Sequence, residues 1–397
     1  MRTFPAEIVI VAGARTPMAR YVGAFKDTTA IELGAVAARE AILRAKIDPA
    51  EFDHCIFGNV MQTSSDALYG ARHVALKAGL KVETPAVTVN RLCGSGIEAI
   101  AQAAQRIMLG DSSLILAGGM ENMTQSPHVI RGARSGFRLG GGKLEDSLMT
   151  GLLDTYCGCN MAETAENVAA EFGVTRQASD EYALRSQQAA ERAAQAGLMK
   201  EEIVGVQVKV GKKMEMFSED DHRRPETTLD RLSKLPSAFR KDGIVTAGNA
   251  SGIVDGAAAV FVTHGKTARE RGWNPLGRIV SWAAVGVEPR LMSIGPVPSS
   301  QKALHDAGLT IEQMDRVEVN EAFAPQYLAV EKALGLNREK TNVNGGAIAL
   351  GHPLAASGTR MILTLLLELR RRNLRYGLAT ACIGGGQGIA MIVEAMG

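Results

Sequence analysis

The sequence predicts an α/β protein built from two similar halves with a lobe inserted between them. Three observations carry that reading. Short apolar runs such as Ile8-Val9-Ile10-Val11-Ala12 and Ser113-Leu114-Ile115-Leu116-Ala117 alternate with stretches of helical periodicity, the pattern of strand–helix–strand units around a mainly parallel sheet. From Glu121 the periodicity fades, and it returns only at Gly243. The two ordered regions also rhyme. Val89-Asn90, a glycine-rich turn, a helix and a strand ending in Gly118-Gly119 match Val343-Asn344, a glycine-rich turn, a helix and a strand ending near Cys382-Ile383-Gly384-Gly385. The repeating unit is a whole half-domain rather than a short solenoid period. Two such halves would bring their helix-opening turns to one cleft.

In chain order, residues 8–12 form a first buried strand that ends at the turn Gly13-Ala14-Arg15-Thr16-Pro17. Thr29 is placed to cap a helix through Leu33, Ala37 and Ile42, because its hydroxyl can accept an orphan backbone N–H. Residues 54–60 and 86–89 are strands, with a helix over 66–79 between them. After the turn at Asn90 to Gly96, the positions Ile97, Ile100, Ala101, Ala104, Ile107 and Met108 recur at helical spacing. Residues 123–156, rich in Gly, Ser, Arg and Met, read as irregular. Helices over 164–171 and 179–196 and a polar segment over 210–240 complete the inserted lobe. Beyond it, strands are assigned at 255–262, 276–285, 316–319, 341–344 and 376–381, with helices at 299–307, 324–334 and 358–372.

At 397 residues the chain exceeds the size at which one hydrophobic core stops growing, so two or three lobes are expected. Hydrophobic residues at 46% and charged residues at 22% fit an ordinary globular protein, and 43 glycines imply many tight turns. Lys plus Arg at 44 against Asp plus Glu at 42 leaves +2, which excludes a global field for nucleic acid or anionic membrane. An anionic ligand must then be held by a local patch. Five cysteines, Cys55, Cys93, Cys157, Cys159 and Cys382, argue against a disulfide framework and for free thiols in a reducing compartment. Residues 1–10 lack the features of a secretory signal, and no apolar run approaches the roughly 18 residues a membrane span needs. A soluble cytoplasmic protein is expected, with an organellar location as the alternative.

The stretch around which the chain is organised is Asn90-Arg91-Leu92-Cys93-Gly94-Ser95-Gly96. It sets a cysteine at the start of a helix, where unpaired N–H groups and the peptide dipoles favour a negative sulfur. A lowered thiol pKa and nucleophilic attack on a carbonyl follow as expectations. A buried structural cysteine is the competing reading. Three stretches of the second half supply what such a nucleophile needs. Asn344 to Pro353 puts His352 in a glycine-rich loop as a candidate base. Cys382-Ile383-Gly384-Gly385-Gly386-Gln387-Gly388 offers a second sulfur and free backbone N–H groups for an oxyanion. Asn320-Glu321-Ala322-Phe323-Ala324 sets a neutral amide at another strand end. A metal site is not expected, since Cys157-Gly158-Cys159 is the one close pair and has no second pair near it. Gly384 to Gly388 is no dinucleotide loop, because a strand rather than a helix follows it.

Asn90 to Gly96, Asn320 to Phe323, Gly351-His352-Pro353 and Cys382 to Gly386 resemble, in order, the four active-site motifs of the thiolases. The resemblance runs from Ile8 to the C-terminus and includes Thr246 to Gly252. Gly58-Asn59-Val60-Met61-Gln62, Ser64 to Ala67 and Val319 to Tyr327 are most similar to the mitochondrial-type 3-ketoacyl-CoA thiolases and their bacterial relatives. It implies two βαβαβαββ halves in a five-layered α-β-α-β-α arrangement plus a loop domain: 1–121 with 249–272, then 122–248 for coenzyme A, then 273–397. It implies an acyl-CoA C-acyltransferase with coenzyme A as co-substrate, no tightly bound cofactor and no metal, acting as a homodimer or homotetramer in fatty-acid metabolism. Roles follow from the same resemblance. Cys93 would become acylated, His352 would take its proton, and Cys382 would exchange the α-proton of the acetyl group. Asn320, through a water, and His352 would stabilise the enolate, and the N–H groups of Cys93 and Gly384 the tetrahedral oxyanion.

For coenzyme A the matching positions are Leu152, Met161, Arg224, Thr227, Phe239, Ala247, Ser251 and Phe323, with Arg224 in the basic stretch His222-Arg223-Arg224 suited to phosphates. Two departures stand out: Asn160 where family members often carry histidine, and Cys157-Gly158-Cys159 beside it. Residues 139–151 lack a lysine-rich tetramerisation hairpin, which leaves dimer and tetramer both open. A decarboxylating ketoacyl synthase would have no equivalent of Cys382. A non-catalytic acyl-CoA-binding subunit would have lost at least one of the four groups.

Overall fold

The computed structural model describes residues 6–396. Residues 1–5 of the 1–10 stretch read for a secretory signal, and the outer limits Met1 and Gly397 of the expected halves, lie outside the described residues. The main strands are β1 (Ile8–Arg15), β2 (His54–Gly58), β3 (Ala86–Val89), β4 (Leu114–Glu121), β5 (Val254–His264), β6 (Gly277–Gly286), β7 (Arg316–Val319), β8 (Tyr376–Ile383) and β9 (Gln387–Ala395). The main helices are α1 (Ala30–Ala45), α2 (Gly70–Lys77), α3 (Ser95–Leu109), α4 (Met161–Phe172), α5 (Arg176–Gln195), α6 (Pro296–Ala307), α7 (Ala324–Leu334) and α8 (Leu354–Arg371).

One half-sheet has the order β3-β2-β4-β5-β1 and the other β7-β8-β9-β6; they touch edge to edge only where Val9 and Ile10 pair with Arg278 and Gly277. Strand side chains alternate between two buried faces. Ile8 and Ile10, Ile115 and Ala117, and Val260 and Val262 point inward with Ile389, Met391 and Val393 of the other half. Their neighbours Val9, Leu116 and Phe261 point outward onto α1 and α2. Leu378, Ala390 and Ile392 likewise point outward onto α6 and α7. The inner faces close on α3 and α8, which pack on each other. The result is five layers, α-β-α-β-α. Gly119 marks how tightly they stack, since a Cβ there would lie 1.9 Å from the Ala355 carbonyl oxygen.

The sheet departs from the mainly parallel arrangement the sequence suggested. Among the main strands described, β2/β3, β2/β4 and β7/β8 are the parallel pairs. The pairs β1/β5, β4/β5, β6/β9 and β8/β9 are antiparallel. For β8/β9 the reason is connectivity: Gly384-Gly385-Gly386 turns β8 straight back into β9, with Gly385 and Gly386 both at φ +79, and a tight hairpin permits only antiparallel pairing. Residues 341–344 form no strand beyond one bridge from Thr341 to Val317. Asn342, at φ +48, breaks it and uses its side chain instead to bond the Val319 N–H and carbonyl.

Thr29 caps α1 in a box with Glu32, as its position implied. Four helices start earlier than their apolar periodicity suggested: α4 at Met161, capped by Asn160 and Glu163, α5 at Arg176, capped by Thr175, α6 at Pro296, and α8 at Leu354, directly after His352-Pro353. The segment expected to be irregular contains a short hairpin, His128–Ile130 with Leu144–Asp146, and a second, Val206–Val210 with Lys213–Phe217, leads into the polar segment. Among the described residues no helix is long and apolar enough to cross a membrane.

Candidate active site

Cys93 sits in the single turn Leu92–Gly94 that feeds α3. The turn is held from both sides. Asn90 Oδ1 accepts the Leu92 N–H at 2.9 Å, supporting Leu92 at φ +47, and Ser95 Oγ accepts the Arg91 N–H at 2.8 Å while donating to the Leu92 carbonyl at 2.7 Å. The half-buried thiol faces the N–H of Gly384 and its own N–H.

The expectation of a stabilised thiolate is not met in the resting state. Burial pushes the Cys93 thiol up to about 11, outweighing the two N–H groups, and the charge of Glu121 adds to the rise. Desolvating an anion costs more than a few oriented dipoles return. Cys93 therefore rests as a thiol and needs a base.

His352 can be that base. Its backbone N–H donates to the Gly252 carbonyl at 2.9 Å, and its ring is buried with Nδ1 2.5 Å from Ser357 Oγ and Nε2 3.3 Å from Asn320 Nδ2. The tautomer follows from the network. Ser357 donates its hydroxyl proton to the Pro353 carbonyl at 3.1 Å, so its oxygen accepts from Nδ1–H; the Asn320 amide donates to a bare Nε2. Burial, with Arg360 nearby, holds the imidazole down at about 3, so it stays neutral, with a lone pair rather than a proton on Nε2.

Asn320 follows β7, its N–H bonded to the Thr380 carbonyl at 2.9 Å. The next residue, Glu321, braces the neighbourhood: it accepts from Tyr182 Oη (2.6 Å), Ser186 Oγ (2.7 Å), Asn342 Nδ2 (3.0 Å) and the Ile348 N–H (3.1 Å). That one carboxylate ties α5 of the inserted lobe to the loops carrying Asn320 and His352. Cys382, near the end of β8, is fully buried; burial raises its thiol well above the ordinary range, and the proximity of Cys93 raises it further.

Cys93, His352 and Cys382, far apart along the chain, line one cavity of about 280 Å³. Met123, Leu152, Ile253 and Leu354 wall it beside Cys93, and Met161, Met292 and Phe323 beside Cys382. Of the positions matched to coenzyme A, Leu152, Met161, Phe239, Ser251 and Phe323 line this cavity. Arg224, Thr227 and Ala247 do not: Arg224 and Ala247 are exposed, and Thr227 donates to the Arg224 carbonyl at 2.7 Å. Gly384 and Asn320 are buried and do not line the cavity, although the Gly384 N–H faces the Cys93 sulfur and the Asn320 amide reaches His352. All five cysteines are free, and Cys157 and Cys159 lie outside the cavity lining. The sequence reading missed Ser357 and Glu121. A serine one helical turn past His-Pro and a lone acid ending an apolar strand were the available signals.

Fold and site define an α/β protein of two repeated halves with a thiol, a neutral imidazole and a second thiol around one apolar cavity. The thiolase N-terminal domain matches residues 8–266 and the thiolase C-terminal domain residues 273–395. The mitochondrial 3-ketoacyl-CoA thiolase of Bos taurus is 50% identical over 388 residues, covering 98% of each chain. An acetyl-CoA acetyltransferase of Cupriavidus necator is 48% identical, covering 98% of this chain and 99% of the relative. The crystal structure of human mitochondrial 3-ketoacyl-CoA thiolase in complex with CoA superposes with a TM-score of 0.97 at 48% identity, covering 100% of this chain and 99% of that one. The chain belongs to the thiolase family.

Proposed function

We infer that this chain is an acyl-CoA C-acyltransferase, cleaving 3-ketoacyl-CoA by thiolysis and, in reverse, condensing two acyl-CoA, with coenzyme A as co-substrate. Family membership and relatives named 3-ketoacyl-CoA thiolase and acetyl-CoA acetyltransferase support the reaction class. The observation that carries the residue roles is the convergence of two thiols and one unprotonated imidazole on a single cavity.

The roles follow from chemistry. Cys93 Sγ attacks the 3-keto carbon as His352 Nε2 takes the thiol proton, so neither group need be charged beforehand. The N–H groups of Cys93 and Gly384 receive the negative charge that develops on the carbonyl oxygen. Collapse of the tetrahedral adduct breaks the C2–C3 bond and expels the enolate of acetyl-CoA. Asn320, through a water, and the newly protonated His352 stabilise that enolate oxygen, while Cys382, a weakly acidic thiol, donates the proton to carbon. A coenzyme A thiol, giving its proton to the Cys382 thiolate, then attacks the Cys93 thioester, and the Cys93 sulfur leaves and takes back the proton from His352, which closes a ping-pong cycle. Leu152, Met161, Phe239, Ser251 and Phe323 contact the inner part of coenzyme A, and Arg224, Thr227 and Ala247 its outer, phosphate-bearing part, with residues 122–248 as the loop domain that carries most of them. Cys382 also speaks against a ketoacyl synthase.

Homodimer or homotetramer formation and a cytoplasmic location, with the mitochondrial matrix as the alternative, belong to the same proposal. Relatives named as mitochondrial support that alternative. Light scattering of the purified protein decides the assembly. Mass spectrometry tests the chemistry: incubation with acetyl-CoA should acetylate Cys93, and Cys93→Ser should lower the acylation rate by on the order of 10⁴-fold or more while the fold persists. Acetylation of that variant at the parent rate would defeat the assignment.

A further inference from the structure

Glu121 ends β4 with its side chain fully buried, and among the described residues no cationic side chain lies within ion-pair distance of it. A buried carboxylate without a counter-ion is costly unless donors replace its water. Here four do. Asn59 Nδ2 at 3.1 Å and the Met61 N–H at 2.9 Å donate to Oε1, and the Val60 N–H at 3.2 Å and the Ala355 N–H at 3.0 Å donate to Oε2. A shell made only of donors suits the ionised acid, since a protonated carboxyl would need an acceptor. Burial and the charge of Asp255 push this carboxyl up to about 7 against the pull of those N–H groups.

The donors come from two places that matter. Ala355 lies three residues after His352, at the start of α8. Val60 lies under the Cys93 turn: its carbonyl accepts Asn90 Nδ2 at 3.3 Å, and Asn90 Oδ1 in turn holds the Leu92 N–H. Val60 and Met61 also pack in the apolar group around Cys93. The strand that bears Glu121 belongs to one half of the molecule and Ala355 to the other.

We propose that Glu121 is a positioning residue for acyl transfer, a single buried carboxylate that fixes the turn carrying Cys93 against the loop carrying His352 across the two halves. The proposal rests on the roles assigned to Cys93 and His352 above. The same charge opposes premature ionisation of Cys93, so the nucleophile surrenders its proton to His352 rather than to solvent.

Glu121→Gln keeps the volume, removes the charge and turns an NH₂ toward two of the donors. With acetoacetyl-CoA as substrate, the variant should transfer acyl groups roughly tenfold or more slowly with KM within about twofold of the parent. Iodoacetamide should meanwhile alkylate Cys93 severalfold faster at about pH 8, where Glu121 of the parent is ionised, while buried Cys55 and Cys382 stay protected. Slower catalysis with a more reactive thiol is a pair of changes that a general loosening, which would expose Cys55, does not give. A folded variant with parent kcat overturns the proposal. If Cys55 becomes reactive, Asn59→Ala, which withdraws one donor and keeps the charge, decides: slower transfer at unchanged KM supports it and unchanged transfer overturns it. Peptide mapping of the acyl group in the parent protein tests the underlying roles separately, since acylation elsewhere than Cys93 would sink those first.

Discussion

The two halves repeat one plan and differ where the plan meets chemistry. In each, parallel pairing at the outer edge gives way to two antiparallel pairings, and a glycine-rich turn leads into the helix that faces the other half. In the first half that turn is a single loop of helix that leaves Cys93 half-buried at the cavity. In the second it is lengthened by the short helix Ala347–Leu350, and it holds His352 buried, with both ring nitrogens engaged. A nucleophile must reach substrate, whereas a base must keep one tautomer and one direction. The same backbone scheme serves both by changing the length and burial of one loop.

That division of labour breaks most severely with Cys382→Ser, which leaves the first half intact. Acylation of Cys93 should survive while condensation of two acetyl-CoA falls by roughly 10²–10⁴-fold. Undiminished condensation would remove Cys382 from the proton transfer. Ser357→Ala sharpens the claim that the second half supplies orientation. Without the hydroxyl nothing selects the Nδ1–H tautomer, and kcat should drop by about 10–100-fold with KM little changed. An unaltered kcat would show that Asn320 alone fixes the ring.

The mildest change is in pH. An ordinary histidine base would give an acid limb near 6.5, but burial holds His352 at about 3, so the acid limb of kcat/KM for acylation should lie clearly below 6.5. The same depression makes unfolding take up a proton. His352 therefore contributes stability that is fully present above the unfolded value near 6.5 and is lost as pH falls through the folded value near 3. Urea titrations of the parent and His352→Asn across that range should converge at the acid end. Parallel curves would refute the buried, neutral imidazole.

Much of this was legible in the sequence because it is written locally. Apolar runs and helical periodicity set most of the elements, and Gly-rich stretches marked the places where Cys93, His352 and Cys382 meet, with Asn320 following a strand beside His352. Strand direction was not legible, since it depends on which strands pair across long gaps, as β1 does with β5. Nor was the resting state of Cys93. Helix-start position is a local property and argues for a thiolate, whereas the desolvation that prevails comes from Met123, Leu148 and Leu354, distant in the chain. Glu121 and Ser357 escaped for the same reason: neither belongs to a motif, and each gains its meaning from a partner in a loop that only folding brings near.

The back-to-back contact of α3 and α8 has one more consequence. Each half-sheet hides its inner surface partly beneath the helix of its counterpart, so an isolated half would leave a wide oily face in water and could cover it only by pairing with a twin. Cutting the chain between 266 and 273 should therefore yield two fragments that are insoluble apart and recover together, with neither able to assemble a working centre by itself.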